Sequence, residues 1–221
     1  MKVKKILMLL AVALCVAACS SDDEPANGGT SSGVKSISNL DASDYGSWTY
    51  LNLETGEMET VMDAGPWIYT DGTIKNNEVE PVGIKWHIAF HRYEIKTNGG
   101  SVLDTGLTDM EKVTSLPNGN YEADVRLADE DELSLTMDLS GMMTTGSVGY
   151  AQNPYVNKVL CSWVTRTETG SMPPVVYTPT NHVMVLKCND GNWAKLQFTA
   201  AGNTETNKSG FLTFNYEFFA K

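Results

Sequence analysis

Short runs that alternate apolar and polar residues, separated by glycine- and asparagine-rich turns, constrain the fold of this chain most strongly. The first such run, YGSWTYLNLETGEMETV at residues 45–61, alternates on both sides of a Thr-Gly pair. Period-two alternation around a turn is typical of a β-hairpin. We therefore predict a hairpin with Trp48 and Tyr50 on its buried side, and with Leu51 and Leu53 as further buried candidates.

Much of the chain beyond this hairpin repeats the pattern. IKWHIAFHRYEIKT, residues 84–97, alternates throughout and stops at Asn-Gly-Gly, which predicts one long strand. Further strands are predicted at residues 121–127, 132–139, 157–167, 181–188, 192–200 and 210–219. The turn sequences Asn-Asp-Gly and Ala-Gly-Asn between the last three strands favour an antiparallel meander.

Only one segment favours a helix. Thr108 and Glu111 have the spacing of a capping box and Pro117 ends the run, so this helix has two turns at most. The abundance of Thr, Val, Tyr and Trp supports sheet elsewhere. The sequence therefore predicts a single, mostly β, antiparallel all-β domain with at most one short helix.

The first nineteen residues indicate export. MKVKK is a basic segment, ILMLLAVALCV is a short apolar run, and VAAC places small residues directly before Cys19. Because the apolar run is too short to span a membrane, we predict a lipoprotein signal peptide at residues 1–18 and lipidation of Cys19. Acyl chains such as palmitate contribute about 0.8 kcal/mol per buried CH₂, so the anchor would be stable. The alternative is cleavage nearby, with Cys19 left as an ordinary thiol.

A polar, acidic, Gly/Ser-rich segment follows Cys19. Such a composition cannot bury apolar area, so residues 19–35 are predicted to be a flexible tether and residues 36–221 the folded domain. The acidic run at residues 20–24 resembles a surface-export signal of Gram-negative bacteria, although a plain linker explains it equally. We predict an outer-membrane, lipid-anchored protein that faces the cell exterior, with release from the cell as an alternative.

The charge balance argues against a nucleic-acid partner. Three of the 16 basic residues leave with the signal peptide, so the mature chain has 13 basic against 27 acidic side chains, a formal charge of about −14. Such a surface repels phosphate backbones.

Cys161 and Cys188 are the only side-chain thiols left in the domain once Cys15 and Cys19 are set aside. In an oxidising envelope such a pair is a disulfide candidate. Each cysteine lies in an apolar, strand-like run, so two buried free thiols are an equal alternative. The sequence has no CxxC and no His/Cys cluster with zinc spacing, and no structural metal is predicted.

Catalytic motifs are missing from the sequence. The three histidines, His87, His91 and His182, accompany no GxSxG elbow, HExxH helix or phosphate-binding loop. On one strand His87 and His91 would lie roughly 13 Å apart, too far to share a metal ion. The acidic run ADEDEL, residues 128–133, is interpreted as a solvated turn. We predict that the protein is not an enzyme.

Three methionines do not fit any strand pattern. Met142 and Met143 lie in SGMMTTG, and Met172 lies in ETGSMPPVVY, both of which are interpreted as loops. A thioether held on a loop is a soft ligand that suits haem iron or Cu(I). Loop methionines also serve as adaptable apolar contacts, so the residues alone leave both interpretations open.

Four segments together resemble the HmuY family of haem-binding lipoproteins. They are DASDYGSWTYLNLETGE at 41–57, KWHIAFHRYEIKTNGG at 85–100, TDMEKVTSLP at 108–117 and NHVMVLKCNDGNWAKLQFT at 181–199, followed by GFLTFNYEF. The second is the most specific, because it combines a tryptophan-led strand, His-Arg-Tyr and a terminal Asn-Gly-Gly. The resemblance covers residues 36–221 and implies an almost wholly β, hand-like fold whose loops grip one haem b (iron protoporphyrin IX).

The resemblance also implies a function and a ligand set. Proteins of this kind capture haem from host haemoproteins and pass it to a TonB-dependent outer-membrane receptor. The founding member uses two histidines as axial ligands, whereas the matching positions here fall on Met142 or Met143 and on Met172. The Gly-Met order favours Met142 and the spacing in relatives favours Met143, which we prefer. The alternative function is a glycan-binding or adhesive surface lipoprotein of the same fold that lacks haem ligation.

Overall fold

The computed structural model describes residues 29–128, 136–152 and 154–221, and these form an almost entirely antiparallel β protein. The predicted fold class is confirmed. The strands in chain order are β1 (Thr30–Asp41), β2 (Ser47–Leu51), β3 (Met58–Met62), β4 (Trp67–Tyr69), β5 (Ile74–Lys75), β6 (Ile88–His91), β7 (Glu94–Thr97), β8 (Ser101–Asp104), β9 (Glu122–Ala123), β10 (Val125–Arg126), β11 (Met137–Asp138), β12 (Gly149–Ala151), β13 (Tyr155–Val156), β14 (Val164–Glu168), β15 (Val175–Pro179), β16 (Val183–Lys187), β17 (Trp193–Ala201) and β18 (Phe211–Ala220). A 3-10 helix at Met110–Lys112 and the four-residue helix α1 (Lys158–Cys161) complete the described elements, and neither is long enough to cross a membrane.

The largest sheet has six strands in the order β1-β18-β17-β16-β8-β9. Its centre is the predicted meander, since β16 pairs with β17 and β17 with β18, both antiparallel. β1 pairs with β18 from Thr30 opposite Ala220 to Asp41 opposite Phe211. Residues 30–35, which we assigned to the tether, are therefore part of this sheet.

The main core lies on one face of the six-stranded sheet. Buried aromatic rings from β6, β17 and β18 meet there: Phe90 lies 5.5 Å from Phe214, and Phe198 lies 5.0 Å from Phe214 and 4.7 Å from Trp163. Each of these four side chains is at most 1% exposed. Burying one such side chain contributes about 1.5–3 kcal/mol, so this cluster is a major source of stability.

A second sheet has four strands in the order β3-β2-β6-β7 and includes the first predicted hairpin. β2 pairs with β3 with Trp48 opposite Val61, which confirms that hairpin. All five residues of β2 are buried, because Trp48 and Tyr50 pack in one apolar cluster while Leu51 faces the main core. The sheet is thus covered on both faces.

Residues 84–97 do not form one strand, and this prediction was wrong. The segment folds into a hairpin in which β6 pairs with β7 and His91 lies opposite Glu94. Arg92 occupies the turn with a φ of 54°, a left-handed conformation that strand alternation does not reveal. The alternation of apolar and polar residues continues through the turn because β6 and β7 each have one face on the main core.

The Arg92 side chain joins three segments that are far apart in sequence. Its guanidinium donates to the Ser43 carbonyl at 2.8 Å and to Ser209 Oγ at 2.8 Å, and it lies 4.0 Å from the centre of the Tyr45 ring. The next residue, Tyr93, accepts a hydrogen bond at its hydroxyl from Gly210 N at 3.0 Å. The His-Arg-Tyr turn therefore connects the end of β1 to the start of β18.

Two further predictions differ from the structure in the middle of the chain. Asn157, predicted to begin a strand, caps α1 by accepting a hydrogen bond from Leu160 N at 3.0 Å. Of the predicted segment 157–167, only residues 164–167 lie in a strand, β14, which ends one residue later. The predicted helix near Thr108 is a single 3-10 turn capped by Asp109 instead of Thr108. Lys195 stabilises it by donating to the carbonyls of its first residue and of the residue that follows it, both at 3.0 Å.

Two predicted strands are shorter than expected. Residues 121–127 divide into β9 and β10, which belong to different sheets. Of the predicted strand 132–139, only Met137–Asp138 is a strand among the described residues. Most of the acidic run 128–133 lies outside the described residues.

Cys161 and Cys188 are free thiols, so the structure agrees with the second of the two alternatives for this pair. Cys161 Sγ accepts from Ile95 N at 3.3 Å inside the second apolar cluster, whereas Cys188 follows β16 near His87 and Asp190. Burial raises the pKa of both thiols to about 12, which keeps them protonated and unreactive.

Candidate functional site

Met142 and Met143 lie in a tight turn between β11 and β12. The Gly141 carbonyl organises the turn by accepting from Thr144 N at 3.1 Å and from Thr145 N at 2.8 Å. Both threonine hydroxyls donate to the same oxygen, at 3.2 and 3.0 Å. Gly146 closes the turn with a φ of 73°, which glycine adopts without strain. The glycines and threonines of SGMMTTG thus build a rigid turn that projects the two methionines.

A partly buried hydrogen-bond network fixes the base of this turn. Asp138 accepts from Ser140 N at 2.8 Å and from the Tyr69 hydroxyl at 2.7 Å, which links β11 to β4 across the sheet. Burial alone would raise the pKa of Asp138, but these hydrogen bonds and Lys75 hold it below its usual value. Burial and the Asp138 contact raise the pKa of Tyr69 to about 12, so the hydroxyl remains a donor.

The other end of the turn is fixed to the same neighbouring strand. Val148 N donates to Thr70 Oγ1 at 3.1 Å, and Thr70 N donates to the Val148 carbonyl at 2.9 Å. A Cβ on Gly149 would lie 2.6 Å from the Tyr69 ring, so glycine is needed for that ring to pack against β12. Both ends of the methionine turn are therefore anchored to β4 and the residue after it.

Met172 lies in the loop that joins β14 and β15. Thr169 closes this loop: its backbone N donates to the Pro174 carbonyl at 3.0 Å, and its hydroxyl contacts the carbonyls of Ser171 and Pro173. The hairpin packs against the body through Tyr177, whose ring centre lies 4.4 Å from that of Tyr93. The second methionine loop is thus held by backbone hydrogen bonds at its tip and by aromatic packing at its base.

The exposure of the three methionines distinguishes them. Met143 is 88% and Met172 is 87% exposed, the highest values among the large apolar side chains of the described residues, whereas Met142 is 47% exposed. Large apolar side chains on rigid loops gain nothing for folding when they point into water. Their soft sulfur atoms fit the donor chemistry that haem iron accepts, so the residues present agree with the cofactor that the sequence resemblance implies.

Each of the three histidines has a polar partner within the domain. His91 is fully buried, with Nε2 donating to the Tyr45 carbonyl at 2.7 Å and Nδ1 lying 3.2 Å from Glu94 Oε2. His182 Nδ1 lies 2.9 Å from Asp104 Oδ2. His87 accepts from Leu53 N at its Nδ1, at 3.0 Å. The interpretation of His87 and His91 as structural residues agrees with these contacts.

The structure also brings His87, Cys188 and Asp190 together, a cluster that the sequence analysis missed because 101 residues separate His87 from Cys188. One ligand atom from each lies within 4.8 Å of the others. However, the lone pair on His87 Nδ1 already accepts the Leu53 N–H, so the neutral ring carries its proton on Nε2. A protonated Nε2 cannot bind a metal, and we interpret the cluster as a polar contact in which Nε2 faces Asp190 Oδ2 at 3.6 Å.

Among the described residues, two of the cavities that lie away from the methionine loops are close to ligand size. One of about 190 Å³ is lined by Trp48, Asp63 and Lys96 among others, and one of about 420 Å³ is lined by β8 and residues 112–118. The first is smaller than the roughly 300–1,000 Å³ of typical ligand pockets. Neither cavity is lined by the methionine loops, so neither explains their exposure.

Comparison with known proteins identifies the family. The family model described as HmuY protein matches residues 44–216. The chain belongs to the HmuY family. No curated protein sequence matches this HmuY-family chain. Membership supports a role in haem binding, and proteins of this family are binding proteins rather than enzymes.

Solved structures of other HmuY-like proteins have the same fold. The apo HmuY analogue of Tannerella forsythia is 35% identical, with a TM-score of 0.70 over 88% of this chain and 100% of that one. Apo PinO from Porphyromonas gingivitis is 31% identical, with a TM-score of 0.69 over 86% and 99% of the two chains. A proposed HmuY-like haem-binding protein from Bacteroides vulgatus is 30% identical, with a TM-score of 0.62 over 86% and 96%.

Proposed function

We propose that this HmuY-family protein binds haem b between two loops, with Met172 and Met143 as the axial ligands. The observation that supports this proposal is the exposure of the two sulfur-bearing side chains. At the two positions where the family resemblance implies ligands, the chain has the two most exposed large apolar side chains of its described residues. Met142, at the same turn, is the alternative to Met143.

The choice between the two neighbours follows from their surroundings. Met143 is 88% exposed and Met142 is 47% exposed, so the Met143 thioether is the freer of the two to reach a ligand. The partly covered Met142 side chain would then contact the porphyrin. Haem supplies an iron that accepts two axial donors and an apolar macrocycle that the loops would cover.

Thioether ligation determines the conditions of binding. Sulfur is a soft donor and favours ferrous over ferric iron, so affinity should rise under reducing conditions. A methionine side chain has no proton to gain in mild acid, unlike imidazole with a pKa near 6.5, so ligation should persist as the pH falls.

The cellular role proposed here is haem acquisition at the cell surface. Cys19 would anchor the mature chain in the outer membrane through its acyl chains, facing the exterior. The domain would take haem from host haemoproteins and pass it to a TonB-dependent outer-membrane receptor. The proposed ligands lie on exposed loops, which both a donor and a receptor could reach.

A haemin titration of the purified full chain, with and without dithionite, tests the ligands. With dithionite we expect a sharpened Soret band in the parent, and a loss of ferrous haem affinity on the order of 10-fold to 100-fold in Met143→Ala and Met172→Ala, since changes at metal sites commonly cost that much. The Met142→Ala protein should keep the Soret band of the parent.

Met58→Ala is the matched control, because Met58 is 49% exposed but lies on β3. Since the ligand methionines make little packing contact, all four variants should unfold within about 0.5 kcal/mol of the parent. Unchanged haemin affinity in Met172→Ala would refute methionine ligation. A parent that stays colourless with haemin would instead favour the glycan-binding or adhesive alternative.

A further inference from the structure

The cavity beside β8 is not used by the proposed haem site. Its volume of about 420 Å³ lies within the roughly 300–1,000 Å³ of typical small-molecule pockets. Its lining comes from two segments, residues 103–107 and residues 112–118, here called the first and second walls. A pocket of this size between two walls can hold a small organic molecule if the walls are already formed and their side chains are free to bind it.

Hydrogen bonds from two other segments fix the second wall. The Val113 carbonyl accepts from the Nζ of Lys195, a buried side chain, at 3.0 Å. The Pro117 carbonyl accepts from the Tyr121 hydroxyl at 2.9 Å. The backbone of this wall is therefore held on both sides of its exposed middle.

The first wall is tied to β16. Thr105 Oγ1 donates to the Val183 carbonyl at 2.6 Å and accepts from Leu107 N at 3.2 Å, and Val183 N donates to the Leu107 carbonyl at 2.6 Å. A Cβ on Gly119 would lie 2.8 Å from the Leu103 side chain, which shows how closely the two segments approach there. Both walls are therefore formed before a ligand binds, and preorganisation of this kind lowers the entropic cost of binding.

The two charged residues of the lining differ in their partners. Both oxygens of the Asp104 carboxylate are engaged, since Oδ1 accepts from Gly106 N at 2.8 Å and Oδ2 lies 2.9 Å from His182 Nδ1. The exposed Lys112 ammonium has no ion pair or side-chain hydrogen bond with any residue that the structure describes. The cavity thus offers a free cation in a chain whose formal net charge is −11.

Neutral donors and an apolar surface accompany Lys112. The side chains of Thr114, Ser115 and Asn118 line the same cavity, and none of them hydrogen-bonds another described residue. The remaining lining is largely apolar and comes from Leu103, Leu107, Val113 and Pro117. Apolar walls with a few unpaired polar groups are the usual composition of a small-molecule site.

We propose that this cavity binds a small organic anion with an apolar body, such as an aromatic or short aliphatic carboxylate. Lys112 would pair with the anionic group, and the neighbouring hydroxyl and amide groups would donate hydrogen bonds to it. An anion is favoured over a cation because the Asp104 carboxylate already has partners, whereas the ammonium has none. The site shares no residue with the methionine loops, so this binding function goes beyond haem ligation and does not depend on it.

Two fluorescent probes test the proposal on the purified full chain. Anilinonaphthalene sulfonate has an apolar body and one anionic group, and phenylnaphthylamine has the same body without the sulfonate. The anionic probe should bind about fivefold more tightly than the neutral one, which corresponds to a solvent-accessible ion pair at the upper end of its usual range. Lys112→Met keeps the apolar stem and removes the charge, so it should abolish this preference and leave the affinity for the neutral probe unchanged. Leu107→Ser should weaken the binding of both probes by about fivefold, since it removes apolar contact area.

Matched variants control for effects elsewhere on the surface. Lys208→Met also removes an exposed lysine, and Val34→Ser removes an apolar side chain that is 60% exposed on β1, so both should bind the two probes as the parent does. Met172→Ala should do the same even if it no longer binds haemin, which separates this proposal from the proposed ligation.

Three outcomes would overturn the proposal. The first is a parent that enhances the fluorescence of neither probe. The second is a Lys112→Met protein, shown to be folded by its urea midpoint, that retains the full preference for the anionic probe. The third is loss of probe binding in Met172→Ala, which would assign the probe to the methionine loops instead of this cavity.

Discussion

His91 and His87 belong to one hairpin, yet their environments shift their pKa values in opposite directions. Burial would lower the pKa of His91, but the Glu94 carboxylate and the Tyr45 carbonyl outweigh it and raise the pKa above its ordinary value. At His87, burial dominates over Asp190 and lowers the pKa. The fold therefore favours the cationic form of His91 and the neutral form of His87, each relative to the unfolded chain.

These shifts predict a maximum in the pH dependence of stability. The raised pKa of His91 contributes stability that is complete below the unfolded value near 6.5 and is lost as the pH rises through the folded value. The lowered pKa of His87 contributes stability above about 6.5 that is lost as the pH falls through the folded value. Urea unfolding between pH 5 and pH 9 should therefore show stability declining on both sides.

Single variants test which histidine causes the decline in stability on each side of the maximum. His91→Gln should flatten the decline at high pH, and His87→Gln should flatten the decline at low pH, each leaving the other limb intact. The measurement is the urea midpoint as a function of pH. If His91→Gln retains the high-pH decline of the parent, the imidazolium assignment is incorrect.

Part of the candidate site could be predicted from individual residues. Met142, Met143 and Met172 fit neither a strand nor a helix period, and the structure places all three in exposed turns. The network beneath the first turn could not be predicted, since Tyr69 and Asp138 are 69 residues apart and meet only through the pairing of β4 with β12. The local sequence pattern identifies which side chains do not fit a strand or a helix. The hydrogen bonds that hold their turn in place depend on the tertiary fold and cannot be predicted from that pattern.

Among the elements, the meander was predictable and α1 was not. β16, β17 and β18 have apolar runs bounded by turns whose glycines adopt positive φ, at Gly191 and Gly202. The segment from 157 to 163 contains Val, Leu, Cys and Trp, which favour a strand, yet the buried Asn157 side chain caps a helix there. The hydrogen bonds of the Asn157 side-chain amide therefore outweigh the strand propensity of the residues that follow it.

The role of Asn157 as the organiser of α1 predicts a large cost for its removal. Its amide accepts from Leu160 N at 3.0 Å and donates to the Glu122 carbonyl at 2.9 Å and to Asp124 Oδ1 at 3.1 Å. Asn157→Ala should reduce the free energy of unfolding by about 2–4 kcal/mol, the sum of a lost cap and buried partners left unpaired. Urea unfolding measures this loss.

A serine at the same position separates the two contributions. Asn157→Ser keeps an oxygen that can cap Leu160 N but loses the donors to Glu122 and Asp124, so its stability should fall between that of the parent and that of Asn157→Ala. Equal stability of the serine and alanine variants would show that the cap contributes nothing.

At the scale of the whole molecule, the short segment between Cys19 and β1 limits how far the domain can lie from the proposed lipid anchor. β1 begins at Thr30, is paired with β18 from that residue, and lies 11 residues after Cys19. A fully extended segment of that length spans at most about 36–40 Å. The proposed lipid anchor would therefore keep the domain close to the membrane.

This organisation predicts that membrane association depends on one residue. Cys19→Ser should move the protein from the membrane fraction to the soluble envelope fraction or the medium, since the acyl chains are lost. Cell fractionation and immunoblotting measure the distribution. Cys188→Ser, which changes a thiol inside the domain, should stay in the membrane fraction. A Cys19→Ser protein that stays there too would exclude Cys19 as the anchor.

The His-Arg-Tyr turn has a consequence for how sequences of this type are classified. Its contacts with Ser43, Ser209 and Gly210 specify where segments of backbone meet, and none of them involves the methionine loops. Under the proposed ligation, a chain that kept this turn and replaced Met143 and Met172 would keep the architecture and lose the ability to bind haem. The turn would then mark the scaffold, and the two loop tips would determine the ligand.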